Sequence, residues 1–110
     1  MYKQGEIVVV PFPFSDLSSV RQRPVLILSK NEDNEKSDDV ITCGITSNLR
    51  NAKCSVLIDN VDLEKGNIPA KSRIKIDKLF TLDKNIVKKK VAKLNKATLL
   101  RVKEEFYKLI

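Results

Sequence analysis

The chain opens on a β-branched run, Glu6-Ile7-Val8-Val9-Val10, which predicts a first strand. That strand is expected to leave its sheet at Pro11-Phe12-Pro13, because proline offers no N–H to a ladder. Ser15 to Gln22 reads as a loop with few anchoring apolar residues. Pro24-Val25-Leu26-Ile27-Leu28 is a second buried run. Arg23 therefore falls at a loop–strand junction, and the proline after it biases it to extended backbone. Residues Asn31 to Asp39 are almost wholly polar and charged, which predicts a flexible connection. Val40 to Thr46 forms a third strand that ends at Ser47-Asn48, residues whose side chains hydrogen-bond nearby backbone, so Thr46 stands at a strand end.

The second half continues in the same manner. Cys54 to Ile58 predicts a fourth strand, Asp59 to Gly66 a turn, and Ile68 to Ala70 a short extended piece. Ser72-Arg73-Ile74-Lys75-Ile76-Asp77 alternates polar and apolar, the signature of a strand with one wet face. The lysines of Lys88 to Leu94 suit an edge strand, where charge discourages sheet-to-sheet pairing. Asn95 is a good N-cap for a closing helix whose apolar face is Leu99, Val102, Phe106 and Leu109, with Lys96, Lys103, Glu104, Glu105 and Lys108 mostly elsewhere. Many short strands and one late helix imply a mainly β fold with minor α: a small, strongly curved, barrel-like antiparallel sheet covered by a C-terminal helix.

Length and composition narrow the possibilities. The 110 residues suffice for one core, so residues 1–110 are expected to form a single domain. No apolar run approaches the roughly 20 residues of a membrane span, and the first residues lack a signal-peptide apolar stretch, which predicts a cytoplasmic protein. Cys43 and Cys54 sit in apolar surroundings without metal-ligand spacing and read as reduced structural thiols, so no metal or other cofactor is expected. The chain has no histidine. Any catalysis must therefore run on arginine, lysine, carboxylate or hydroxyl groups. The net charge of +7 is uneven: residues 1–70 carry 8 basic and 10 acidic side chains, a net −2, whereas residues 71–110 carry 13 and 4, a net +9. A basic second half favours a nucleic acid or an acidic protein as partner.

Three strand ends deliver polar residues that do not suit a core: Arg21 and Arg23, Thr46 with Ser47 and Asn48, and Lys75 with Asp77. On one rim they would form a site for RNA cleavage, which needs an activated 2′-hydroxyl, a stabilised phosphorane and a protonated 5′-oxygen. A guanidinium is permanently charged and contacts phosphate in bidentate fashion, so Arg23 suits charge stabilisation, and the Thr46 hydroxyl can donate to the same group. Asp77 suits a base, and Lys75 or an arginine a proton donor. Each also has an ordinary structural reading: Arg23 in an ion pair with Asp16 or Glu6, Thr46 as a β-branched strand residue, Asp77 as a turn cap.

The segments Gly5-Glu6-Ile7-Val8, Arg23-Pro24-Val25-Leu26-Ile27, Ile45-Thr46-Ser47-Asn48 and Ile76-Asp77-Lys78-Leu79-Phe80-Thr81-Leu82-Asp83 occur in the order seen in MazF/PemK/Kid toxins. The chain resembles that family along nearly its whole length. The resemblance implies an SH3-like curved barrel, a homodimer, metal-independent and sequence-selective cleavage of single-stranded RNA, including mRNA, to a 2′,3′-cyclic phosphate and a 5′-hydroxyl, and neutralisation by a cognate antitoxin protein. It makes Arg23 and Thr46 the principal catalytic pair and matches Asp77 to a carboxylate that some members use as base; Arg21, Ser47, Asn48, Arg50 and Arg73 are expected to bind the RNA. Lys75 stands where some members have arginine, which keeps the charge and loses the guanidinium fork. Some relatives also use a histidine in the first loop, and none is present here. Two other readings are a gyrase-poisoning toxin of the related CcdB type and a plain SH3-like nucleic-acid-binding module. Arg23-Pro24 and Ile45-Thr46-Ser47 argue for the enzyme.

Overall fold

A computed structural model describes residues 1–13, 20–50 and 52–110. The described elements run β1 (Glu6–Pro13), β2 (Val20–Ile27), α1 (Asn31–Lys36), β3 (Asp39–Thr46), β4 (Ser55–Ile58), β5 (Leu63–Gly66), β6 (Ser72–Asp83), β7 (Lys89–Leu94) and α2 (Lys96–Tyr107), with short 3-10 turns at Asn60–Asp62 and Lys84–Ile86. The strands form one curled antiparallel sheet in the order β4-β6-β3-β2-β1-β7-β5. The curved, mainly β fold with a C-terminal helix expected from the sequence is thus present. No helix among the described residues is long and apolar enough to cross a membrane.

The central strands are continuously apolar because both of their faces are covered. One face carries Ile7, Leu26, Cys43, Ile45, Ile74 and Ile76, closed by α2 through Val102, Leu99 and Phe106. The other carries Val8, Val10, Val25, Ile27 and Val40, closed by Tyr2, Phe80, Leu82 and Val87. Asn95 caps α2 as its type predicts, its side chain accepting from the Thr98 N–H at 2.9 Å. Leu109 lies beyond the end of α2 and is exposed. It is therefore not part of the apolar face assigned to it.

Other expectations need correction. The stretch 31–39 contains α1, because the fully buried Asn34 side chain is tied to the Ser29 hydroxyl and to the carbonyls of Ser29 and Tyr2. This polar anchor leaves no apolar periodicity for a pattern to show. The 59–66 stretch is a 3-10 turn followed directly by the strand β5. The lysine-rich β7 lies between β1 and β5, so the sheet edges are β4 and β5. There Gly66 (φ +76°) crosses the β7 backbone so closely that a Cβ would sit 2.1 Å from the Val91 carbonyl oxygen.

β1 also continues through its prolines, pairing Pro11 with Gln22 and Pro13 with Val20. The Val9 carbonyl accepts from the Lys88 N–H on the β7 side, so the nitrogens of Pro11 and Pro13, alternating with it, face that same side. β7 has ended there, at Val9↔Lys89, so no ladder bond is lost.

Candidate active site

Backbone register builds the site on one face of the sheet, around the end of β3. β2 pairs β3 through Ile27↔Thr42, Leu26↔Cys43 and Val25↔Gly44. Two positions further in the same register, Arg23 comes opposite Thr46. The ladder stops before that point for a local reason. The Leu28 N–H donates to Ile41 of β3, so by alternation the N–H of position 24 would also face β3, and Pro24 has none. Arg23 and Thr46 thus flank a mouth at which β2 and β3 no longer bond.

On the other side of β3, Thr46 is paired with Arg73 and Gly44 with Lys75, and Lys75 in turn with Ser55 of β4. Arg23, Thr46, Arg73, Lys75 and Ser55 therefore share a face, because directly paired residues point the same way. Arg23, Thr46, Arg73 and Lys75 are half-buried, whereas Arg21, Ser47, Asn48 and Arg50 are exposed. Arg73 serves the structure of the site, because its Nε donates to the Leu49 carbonyl (3.3 Å) and a terminal nitrogen to the Ser55 hydroxyl (3.2 Å), tying down the loop after Thr46. That loop is further ordered by two short-range bonds, Asn48 N–H to Thr46 Oγ1 (3.1 Å) and Arg50 N–H to Asn48 Oδ1 (3.0 Å).

An open pocket of about 290 Å³ lies here, lined by Thr46, Asn48, Arg50, Ala52, Lys75 and Lys78. Among the described residues that line it there is no carboxylate, and three are cationic. The Thr46 and Asn48 side-chain oxygens already accept backbone N–H groups, so what the pocket presents to a ligand is mainly hydrogen: a hydroxyl, an amide NH2, a guanidinium and two ammonium groups. Such a lining fits an acceptor-rich anion such as phosphate.

Asp77 lies between the two lining lysines, exposed, in a bulge. β6 pairs Lys75 with Gly44 and Leu79 with Cys43, leaving Ile76, Asp77 and Lys78 unopposed. Arg21, Arg23, Ser47, Arg73 and Asp77 are outside the pocket lining. Ala52 and Lys78 are the lining residues that sequence reasoning missed, and Lys78 is the one with chemistry to offer. Its signal was present, since the apolar spacing in β6 changes from two (Ile74, Ile76) to three (Ile76, Leu79), as an inserted bulge residue requires. Residues 14–19 of the first loop, including Asp16 as a partner for Arg23, lie outside the described residues. Glu6, the other partner considered, faces Lys90 at 3.4 Å and accepts from the Lys3 N–H. Cys43 is buried in the core, and loss of solvation pushes its thiol up to about 12.

A curled β-sheet with a helix behind it and a cationic rim around a strand-end hydroxyl define the class of fold to which solved structures can be compared. Solved structures of the same shape include an endoribonuclease in complex with its cognate antitoxin from a mycobacterial species, at 19% identity and a TM-score of 0.77, with 98% of this chain and 93% of that one covered. MazE–MazF from Deinococcus radiodurans matches at 18% identity and a TM-score of 0.78, covering 98% and 94%. The Mycobacterium tuberculosis toxin MazF-mt6 matches at 18% and 0.71, covering 92% and 93%. At such identities the likeness is one of fold. No curated protein matches by sequence. The family model of the PemK-like, MazF-like toxins of type II toxin–antitoxin systems matches residues 3–110, and the chain belongs to that family.

Proposed function

We propose that this toxin is a metal-independent endoribonuclease that cuts single-stranded RNA, mRNA included, at selected sequences, acts as a cytoplasmic homodimer of single-domain chains, and is neutralised by a cognate antitoxin. The observation that carries the reading is the register that sets Arg23 against Thr46 at an unbonded strand mouth, beside a pocket of hydrogen-bond donors. The endoribonuclease and antitoxin complexes among structures of the same fold support it.

In this mechanism the RNA 2′-oxygen attacks the neighbouring phosphorus as Asp77 takes its proton. The bond from phosphorus to the 5′-oxygen breaks, and Lys75 or an arginine protonates the leaving oxygen. The products are a 2′,3′-cyclic phosphate and a 5′-hydroxyl. Arg23 stabilises the negative charge on the phosphorane, which an always-charged planar donor does without proton exchange. The Thr46 hydroxyl, its oxygen held by the Asn48 N–H, donates its hydrogen to the same oxygens. Arg21, Ser47, Asn48, Arg50 and Arg73 carry or support the flanking RNA. An antitoxin segment with acidic and apolar residues suits the same basic surface.

The test is incubation of the purified protein with unstructured RNA in excess chelator. Cutting that disappears in Arg23→Ala is expected. Uncut RNA with the native chain, or equal cutting by Arg23→Ala, overturns the reading, and intact RNA with gyrase-dependent DNA breaks would replace it by a CcdB-like activity.

A further inference from the structure

The β6 bulge bears directly on substrate binding. In an uninterrupted ladder, residues 76–78 would alternate faces opposite β3, and only one of Lys75 and Lys78 would look toward Thr46. Inserting Ile76, Asp77 and Lys78 without partners lets Ile76 stay in the core, fully buried, while Lys75 and Lys78 both reach the pocket wall. The bulge lies beside Gly44, and a Cβ built on Gly44 would lie 3.8 Å from Lys78 Cβ. The Lys78 stem therefore rests over a residue with no side chain to displace it. Among the described residues no carboxylate lines the pocket beside either lysine, and the four ion pairs there involve other residues.

We infer that Lys78, delivered by the β6 bulge, holds an RNA backbone phosphate adjacent to the one being cut, with Arg50 and the Asn48 amide completing that subsite. The inference rests on the nuclease reading for its substrate. It adds a substrate-binding residue and says what the pocket receives: a phosphate, not a nucleobase. Three cationic side chains in one pocket match the full negative charge of a phosphate, whereas even an acceptor-only base edge such as guanine O6 and N7 carries no net charge. Lys78 thereby fixes the strand's register relative to Arg23 and Thr46 without taking part in the chemistry.

The experiment uses the whole protein and a single-stranded 2′-O-methyl oligonucleotide, which cannot be cut, so that binding is read apart from cleavage. Lys78→Met keeps the apolar stem and removes the charge. It is expected to weaken binding about three- to tenfold and to reduce the slope of log affinity against log salt by about 0.7, the contribution of one phosphate contact on a single strand. Lys78→Arg should restore the slope. Lys36→Met, in α1 beyond the opposite end of β3, should change neither quantity. Neutral methylphosphonates placed one by one along the oligonucleotide should reveal one position at which Lys78→Met has no further effect.

An unchanged salt slope in Lys78→Met, an equal loss in Lys36→Met, or the same Lys78→Met effect at every methylphosphonate position overturns the inference. If RNA is cut normally while the Lys78→Met slope is unchanged, this inference fails and the nuclease reading stands. If the oligonucleotide binds as expected and no RNA is cut, the reverse holds. Absence of binding by the native chain overturns both.

Discussion

Thr46→Val isolates the hydroxyl on which the proposed chemistry depends. Valine matches threonine in shape and is equally suited to a strand, so the end of β3 should keep its conformation. The substitution removes two things. One is the acceptor for the Asn48 N–H, a 3.1 Å bond on an exposed turn where water can replace it. That loss costs at most about 1 kcal/mol, or roughly 4–8 °C in Tm for a domain of this size. The other is the donor to the phosphorane. By comparison with loss of a single oxyanion-hole donor, its removal should lower the cleavage rate ~100- to 1,000-fold. The two losses differ enough in size to be separated. Single-turnover cleavage of a fluorophore–quencher RNA in chelator gives the rate, and thermal unfolding of the same preparations gives the stability. Thr46→Ser, which keeps the hydroxyl, should stay near the native rate. The reasoning fails if Thr46→Val cuts within about fivefold of the native chain, or if Thr46→Ser falls as far as Thr46→Val, which would make the methyl group's packing the important feature.

Two further predictions concern the scaffold. Gly66→Ala places a Cβ 2.1 Å from a β7 backbone oxygen at a φ of +76°, so it should cost about 3 kcal/mol, measured by urea unfolding, with faster amide exchange in β5; an unchanged midpoint would refute the close crossing. The Cys43 thiol sits at about 12 in the fold against 9.0 in the open chain, so the unfolded state loses its proton first as pH rises. That contribution to stability is complete below pH 9.0 and is lost toward about 12, at up to ~1.4 kcal/mol per pH unit. Denaturant titrations of the native chain and Cys43→Ala should therefore converge across that window, and parallel curves would refute it.

Much of the sheet was legible because its burial follows simple periods. Continuous runs at Ile7–Val10 and Val25–Ile27 marked strands covered on both faces, and the Asn95 cap and the Leu99, Val102, Phe106 spacing marked α2. What escaped was held by groups that carry no apolar period. α1 depends on one buried amide, Asn34. β5 depends on a glycine that only reveals its purpose when β7 lies against it. The continuation of β1 through two prolines depends on which neighbour has already ended, a fact of three dimensions. Among the candidate site residues, Thr46 ends β3 as expected, whereas Arg23, read as a loop–strand junction, and Lys75 lie inside β2 and β6, whose ladders carry polar side chains on this face, and the register brings them beside Thr46. Arg73, read in the sequence as an RNA contact, also carries the Leu49 carbonyl and the Ser55 hydroxyl, a structural role that a charge in a sequence does not disclose.

The two interruptions of the sheet meet at one residue. Pro24 ends the β2–β3 ladder at Gly44, and the β6 bulge opens between Cys43 and Gly44 on the other side of the same strand. A β-sheet normally resists such losses, because each unpaired backbone group must find water or another partner. Here the loss at Pro24 involves a nitrogen with no hydrogen to satisfy, and in the bulge the buried Ile76 N–H donates to the Cys54 carbonyl at 2.9 Å. Both also enlarge the space around Thr46: the first parts it from Arg23, and the second brings Lys78 round to its other side. Gly44 stands at this crossing, where a Cβ would make an ordinary contact 3.8 Å from Lys78 Cβ. The cleft therefore follows from where the sheet stops bonding. Its cationic walls follow from which side chains those interruptions turn toward it.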